Sequence, residues 1–521
     1  MSDAATVAPE RASGRTWLAV TAGMIGAFMA ILNIQITNAS LPNIEGGIGT
    51  GVDEGAWVST AYLIGEIIVI PLTVLLARVF SFRRVIICCT LLFAFFSVCC
   101  SFASDLGTMI VMRGLQGFCG GVLIPMAMTM AMTRLPKAQQ AMGLAMFALS
   151  ATFAPAIGPT IGGWLTETYG WRTVFMINVP PSLLMAGILW VTEERKPFQF
   201  GLLRQADWPG IACMAIGLGS LQTMLEEGNK DDWFGSPFIV RLGVIAALFL
   251  LAFVVIQFTA RRPLLNLRLL RERNFGVGIV ANILVGFALY GSVYVLPQYL
   301  SQVQNYNSEQ TGHVLAWNGL PQLLLIPLVP WLMRRVDLRF LCAGGIALFS
   351  FSCFMNTHLS TDVSGDQFLL PNLVRALGQA AIITPLTAIA MARIVPAEAA
   401  NASALLNMLR NLGGAVGTAL LQTIITKREQ FHSDILGQAV TLTRPEVRAR
   451  LDQLTGYFLS HGADKDLAGH QAVVQLGRIV RRQSLSMGFA DTFAVLGAAL
   501  GLAALSILLA RRGGTAAAGA H

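Results

Sequence analysis

Charge is scarce in this chain. Of its 521 residues 12% are Asp, Glu, Lys or Arg, about half the share of a soluble domain, and that shortfall excludes soluble globular and disordered readings. Cysteine gives no framework either: the eight (Cys88, Cys89, Cys99, Cys100, Cys119, Cys213, Cys342 and Cys353) all fall inside apolar runs. None has metal-type spacing beside a histidine, so they read as small core residues. The phosphate-cradling GxxxxGKS/T, the zinc-binding HExxH and the GxSxG elbow are absent. An ATP-driven pump or a membrane protease therefore has no machinery here, and neither a metal nor enzyme chemistry is expected.

Apolar side chains take the place of charge, at 55% of the chain with a mean hydropathy of +0.63. That is roughly 290 residues, and fourteen membrane helices of about 20 apolar residues each would use about 280. Runs this long exclude an outer-membrane barrel, whose strands alternate apolar with polar. Segments long enough to cross lie at 17–40, 56–77, 85–102, 106–132, 141–165, 173–191, 208–224, 238–259, 275–297, 311–333, 340–357, 368–392, 401–426 and 486–510. The first run, Trp17 to Ile36, is too long for a signal-peptide core and reads as a span. The expected fold is an all-α polytopic membrane protein with 14 transmembrane helices.

An even count puts both termini on one side. The net charge of +8 reflects Lys and Arg gathered in the connections of that side, from Arg11 and Arg15 through Arg195, Lys196, Arg261 and Arg262 to Arg511 and Arg512. Short connections on the other side carry Arg172 and Lys230. This bias predicts cytoplasmic termini and leaves no role for nucleic acid. The long connection 427–485 is expected outside. In it PEVRARLDQL from Pro445 and QAVVQLGRIVRR from Gln471 have helical apolar spacing, which predicts a small helical hairpin, a passive connector being the alternative.

The chain repeats itself. Arg113, Pro125 and Pro136 in and after span 4 match Arg375, Pro385 and Pro396 in and after span 12, with eleven residues from proline to proline in each. The predicted organisation is a tail 1–16, a six-helix half 17–191, two inserted helices with their loops 192–274, a second six-helix half 275–510 and a tail 511–521. Paired repeats put a substrate site between the halves near the midplane.

Polar groups inside the spans mark that site, because charge in hydrocarbon is costly. Glu66 is the clear acid, about ten residues into span 2 and hence about 15 Å deep. Arg113, Arg375 and Arg410 accompany it. Glu66 either forms a fixed ion pair with Arg113 or carries a proton, since a carboxyl held between burial and a neighbouring arginine can load and release one as its access changes. One acid against three arginines predicts a net-positive interior, which favours an anionic amphiphile if two of the arginines face the cavity. Candidate cavity residues are Asn33, Gln116, Tyr290, Tyr294, Trp317, Asn318, Gln379, Asn407 and Arg410, each alternatively an interhelical bond or core filler. Span 5 carries APAIGPTIGG, in which Pro155 and Pro159 bend the helix while Gly158, Gly162 and Gly163 admit a close neighbour.

At these residues the chain resembles the major facilitator superfamily, specifically the fourteen-span drug/proton antiporters of the EmrB/QacA type, over nearly its whole length. APAIGPTIGG resembles that family's span-5 antiporter motif, and RGLQGFCGG from Arg113 to Gly121 its span-4 motif, whose arginine is linked to proton transfer. WRTVFMINVPPS from Trp171 is similar to its opening of span 6, and NIQITNASLP from Asn33 to Pro42 to its span-1 motif. The resemblance implies a major facilitator fold of two six-helix halves plus two inserted helices. It further implies proton-coupled multidrug efflux by alternating access, conferring drug resistance, across a bacterial inner membrane, with no cofactor beyond the proton gradient. A periplasmic adaptor and an outer-membrane channel are implied as partners, with the 427–485 loop as docking candidate. A dedicated exporter of one metabolite, such as a siderophore or organic acid, or a non-transporting sensor or scaffold, are the alternatives.

Two departures matter. Asn33 stands where the family's span-1 motif has an aspartate, which makes Glu66 the natural proton carrier. The loop 2–3 motif is reduced to VLLARVFSFRR, with Val74, Arg78 and Ser81 at its Gly, Asp and Gly positions, although Arg83 and Arg84 keep the basic end.

Overall fold

A computed structural model describes residues 11–194, 197–260, 263–363 and 365–511. The basic residues Arg195, Lys196, Arg261, Arg262 and Arg512, most of the 1–16 tail and residues 512–521 of the last tail lie outside the described residues. Among the described residues there is no strand. The long helices are α1 Gly14–Ala39, α2 Trp57–Phe80, α3 Phe82–Phe102, α4 Leu106–Arg134, α5 Lys137–Tyr169, α6 Thr173–Thr192, α7 Trp208–Glu227, α8 Pro237–Thr259, α9 Arg273–Gln302, α10 Ser308–Leu332, α11 Leu338–Met355, α12 Gly365–Met391, α13 Ala399–Ala439 and α14 Lys465–Leu508.

Short polar residues start many of these helices by accepting from backbone amides that have no partner within the helix. Ser13, Asp105, Asp207, Asp337 and Asp464 do so, and Asn307 forms a capping box with Gln310. Proline sets the interruptions. α12 breaks after Ala380 and resumes at Ile383, at the Ala381 carbonyl that Pro385, four residues on, cannot engage. α6 pauses at Ile177 and Asn178 ahead of Pro180 and Pro181 for the same reason.

Thirteen of the fourteen are apolar and long enough to cross a membrane. α13 is the exception by composition, carrying Asn401, Asn407, Arg410 and Asn411. It is shielded instead, packed against α9, α14, α2 and α4, so its polar groups face protein rather than lipid. α1 to α6 pack on one another, as do α9 to α14, with α5 and α10 also packed closely together across the two groups; α8 packs chiefly on α7 and is otherwise exposed along its length. Two glycine contacts bring the critical helices together. A Cβ on Gly65 or Gly117 would overlap the facing backbone of Gly114 or Tyr62, so α2 and α4 meet backbone to backbone; Gly286 and Gly413 do the same for α9 and α13.

The external connection differs from expectation. α13 runs on without a break to Ala439, and α14 starts at Lys465, with a helix Pro445–Ser460 between them that packs on α14. The expected helical hairpin is present, Pro445–Ser460 packed on α14, but α13 and α14 run into the connection without a break instead of ending before it. α7 also runs past its expected end at residue 224 and carries Glu226 and Glu227 within its last turn.

Candidate functional site

Arg113 is wholly buried on α4 and takes three neutral acceptors. Its Nε donates to the Val58 carbonyl at 3.0 Å, and its Nη1 to Asn33 Oδ1 at 2.6 Å and to Gln116 Oε1 at 2.7 Å. The guanidinium lies over the Tyr62 ring at 4.4 Å. Gln116 in turn donates to Ser97 Oγ at 2.6 Å. Asn33 and Gln116 thus serve Arg113 inside the α1–α4 bundle and line neither of the two cavities described below.

Glu66 is not its partner. Val58, which anchors the arginine, is two turns above Glu66 on α2, about 12 Å along the axis. Among the described residues no carboxylate reaches ion-pair distance of Arg113. The expected alternative of a fixed Glu66–Arg113 ion pair is therefore not formed. Glu66 reaches across the molecule: Asn411 Nδ2 on α13 donates to its Oε1 at 2.9 Å, and Tyr290 OH on α9 donates to Asn411 Oδ1 at 3.0 Å. Its other oxygen, Oε2, is buried and has no partner.

Glu66 lies on the wall of a cavity of about 510 Å³ bounded by α1, α2, α7, α9 and α13. Lining residues are Gln35 and Asn38 on α1, Thr60 on α2, Tyr290 and Tyr294 on α9, and Asn411 and Thr418 on α13. Those on α1, α2 and α9 come from the part of the helix farther from the termini, and Asn411 and Thr418 from the first half of the longer α13. The cavity consequently runs from Glu66 to the ends of the helices at Ala56 and Tyr306, on the face opposite the termini. Toward the termini the two groups of helices touch: Ser403 Oγ donates to the Pro125 carbonyl at 3.3 Å, and Asn407 Nδ2 meets Met128 Sδ at 3.2 Å.

A pocket of about 20 Å³ lies beside the larger one, lined by Pro155, Tyr290, Asn318, Gln379 and Arg410. Arg410 donates to Asn407 Oδ1 at 2.6 Å and lies over Phe147 at 5.4 Å. Trp317 is half exposed on the outer surface of α10 and lines neither space. Arg375 is buried beside Phe349, with Nε and Nη2 unpartnered. The α5 motif lies at the seam. Gly158 and Gly162 abut Gln35 and Ile36 of α1, Ala156 and Thr160 abut Gly319 and Gly312 of α10, Gly163 is buried, and Pro159 lines the larger cavity.

The expected net-positive interior is not what the cavity presents. Among the described residues, no Arg or Lys lines the larger space, whereas Glu66 and Glu226 both do. Reading the sequence missed Glu226 because EEGNKDD looks like a polar connection; only the extra turn of α7 brings it inside. Glu227 beside it accepts from Thr60 Oγ1 at 3.3 Å and pairs with Lys230 at 3.2 Å.

Two helical groups around a central cavity, sealed at one end, define a polytopic membrane transporter. The profile of the Major Facilitator Superfamily matches residues 23–418, and the chain belongs to that superfamily; it is a transporter and not an enzyme. It is 33% identical over 95% of its length to the colistin resistance protein EmrB of Acinetobacter baumannii, covering 96% of that protein. It is 29% identical over 91% of its length to the multidrug export protein EmrB of Escherichia coli K12, covering 92% of it. Its fold is like that of the human organic anion transporter MFSD10 (TETRAN), with a TM-score of 0.56 at 14% identity over 93% of this chain and 99% of that one.

Proposed function

We propose that the protein is a proton-coupled multidrug antiporter of the bacterial inner membrane, with both termini cytoplasmic, exporting hydrophobic or amphipathic compounds by alternating access. The carrying observation is Glu66: a buried carboxyl on the cavity wall with one oxygen free and the other held by Asn411 of the opposite group. With the termini inside, the cavity faces out and Glu66 takes up a proton there. Rocking of the two groups would open the Ser403–Pro125 seal and turn the cavity inward, where the proton leaves as substrate binds. Arg113, held by neutral oxygens and stacked over Tyr62 one turn from Glu66, sets the field at α2 without pairing. Support for the multidrug range comes from the EmrB-type relatives. The proton gradient supplies the energy, with no cofactor, and the helical projection 427–485 would dock a periplasmic adaptor that leads to an outer-membrane channel.

The test is substrate-driven proton flux in proteoliposomes. Glu66→Gln keeps the size and the hydrogen bond to Asn411 but cannot exchange a proton, so coupled flux should vanish while substrate binding persists. Undiminished coupled efflux in this variant would move the proton site elsewhere.

A further inference from the structure

The two inserted helices are the feature that the pairing of six-helix halves leaves without a task. α7 is placed to take part in transport. It packs against α2, where Thr60 bonds Glu227, and its following turn reaches α13, where Trp233 Nε1 donates to Thr423 Oγ1 at 2.9 Å and Asn229 Nδ2 to Thr426 Oγ1 at 3.3 Å. α7 thereby forms a wall between the two groups, and from that wall Glu226 faces the cavity. Gln222 Nε2 donates to Glu226 Oε1 at 2.9 Å and fixes the carboxyl.

We propose that Glu226 is a second recognition carboxylate and that the cavity takes an amphipathic cation, with Glu66 at its floor and Glu226 toward its mouth. This rests on the reading of the cavity as the transport site. Three observations carry it. Both acids on the wall are unopposed by any lining Arg or Lys among the described residues. Glu66, on the same wall, has a buried oxygen with no protein partner. Tyr290, Tyr294 and Tyr306 line the same space, and ring faces attract cations, most strongly when water is displaced. Thr60 of α2, level with the end of α7, is six residues above Glu66, about 9 Å along the helix. The two carboxyls therefore stand at different depths, a spacing suited to an elongated cation whose charge moves from one to the other on its way out.

The experiment measures binding of tetraphenylphosphonium and of taurocholate, a cationic and an anionic amphiphile, to the full-length protein in detergent. Glu226→Gln should raise the Kd for the cation about tenfold, the loss of one charge contact in a partly dry site, leave taurocholate unchanged or tighter, and be rescued by Glu226→Asp. Equal cation binding by Glu226→Gln and the native chain would overturn the proposal, as would equal weakening of both probes. Ala415→Trp, which fills the cavity from α13, separates the two readings. Cation binding that survives Ala415→Trp would overturn the cavity as transport site; binding lost there yet indifferent to Glu226→Gln would overturn the role of Glu226 alone.

Discussion

Asn33 gives Arg113 a neutral oxygen at 2.6 Å where the resemblance led one to expect a carboxylate. A buried guanidinium without a counter-charge is costly, and here three oxygens and the Tyr62 face share that cost. Supplying the charge is then a test of the arrangement. Asn33→Asp should stabilise the protein by about 1–2 kcal/mol, because the guanidinium is already desolvated and a charged acceptor binds it more strongly. Thermal unfolding in detergent reads this as a raised midpoint; a lowered one would mean that desolvating the new carboxylate outweighs its attraction to Arg113. Residues differed in how far the sequence disclosed them. Glu66 stands out as an acid in an apolar run, so its depth could be counted. The partner of Arg113 could not, because a long side chain reaches up or down its helix and only packing decides which.

At the level of helices, small residues decide how closely neighbours approach, and position within one motif matters more than composition. RGLQGFCGG places Gly114 and Gly117 one turn apart on α4. A Cβ on Gly114 would stand 3.7 Å from the Ala61 carbonyl, ordinary contact, whereas on Gly117 it would overlap the Tyr62 backbone. Gly114→Ala should be neutral and Gly117→Ala should cost about 3 kcal/mol by forcing α2 away. Unfolding midpoints of the two variants check it, and equal midpoints would deny the close approach. Periodicity and proline made the helices themselves legible, including the weak points of α6 and α12. The span at 401–426 was legible too, although its polar residues leave α13 less apolar than the other spans, and the reading went wrong at the end of α7, because hydropathy assumes that a span meets lipid. α13 meets other helices and tolerates Asn and Arg, and the last turn of α7 is set against α2 and the cavity, so its two acids are part of a helix wall.

Across the whole molecule, one face is sealed and the other holds the cavity. Direct contacts between the two groups near the termini, Ser403 with Pro125 and Asn407 with Met128, set a single closed end. Alternating access requires these contacts to part in every cycle. The Asn407 and Met128 side chains touch at their ends, so cysteines in their places, shorter than the native side chains, are suited to a short bis-methanethiosulfonate linker once the eight native cysteines are replaced. Asn407→Cys/Met128→Cys protein joined by the linker should bind substrate from the open face and transport none, and reduction of the linker's disulfides should restore transport. The reduced form is its own control for the loss of the Asn407 bond to Arg410. Transport that continues in fully cross-linked protein would mean that the seal does not open, and that substrate reaches the cavity from between the helices instead of through that end.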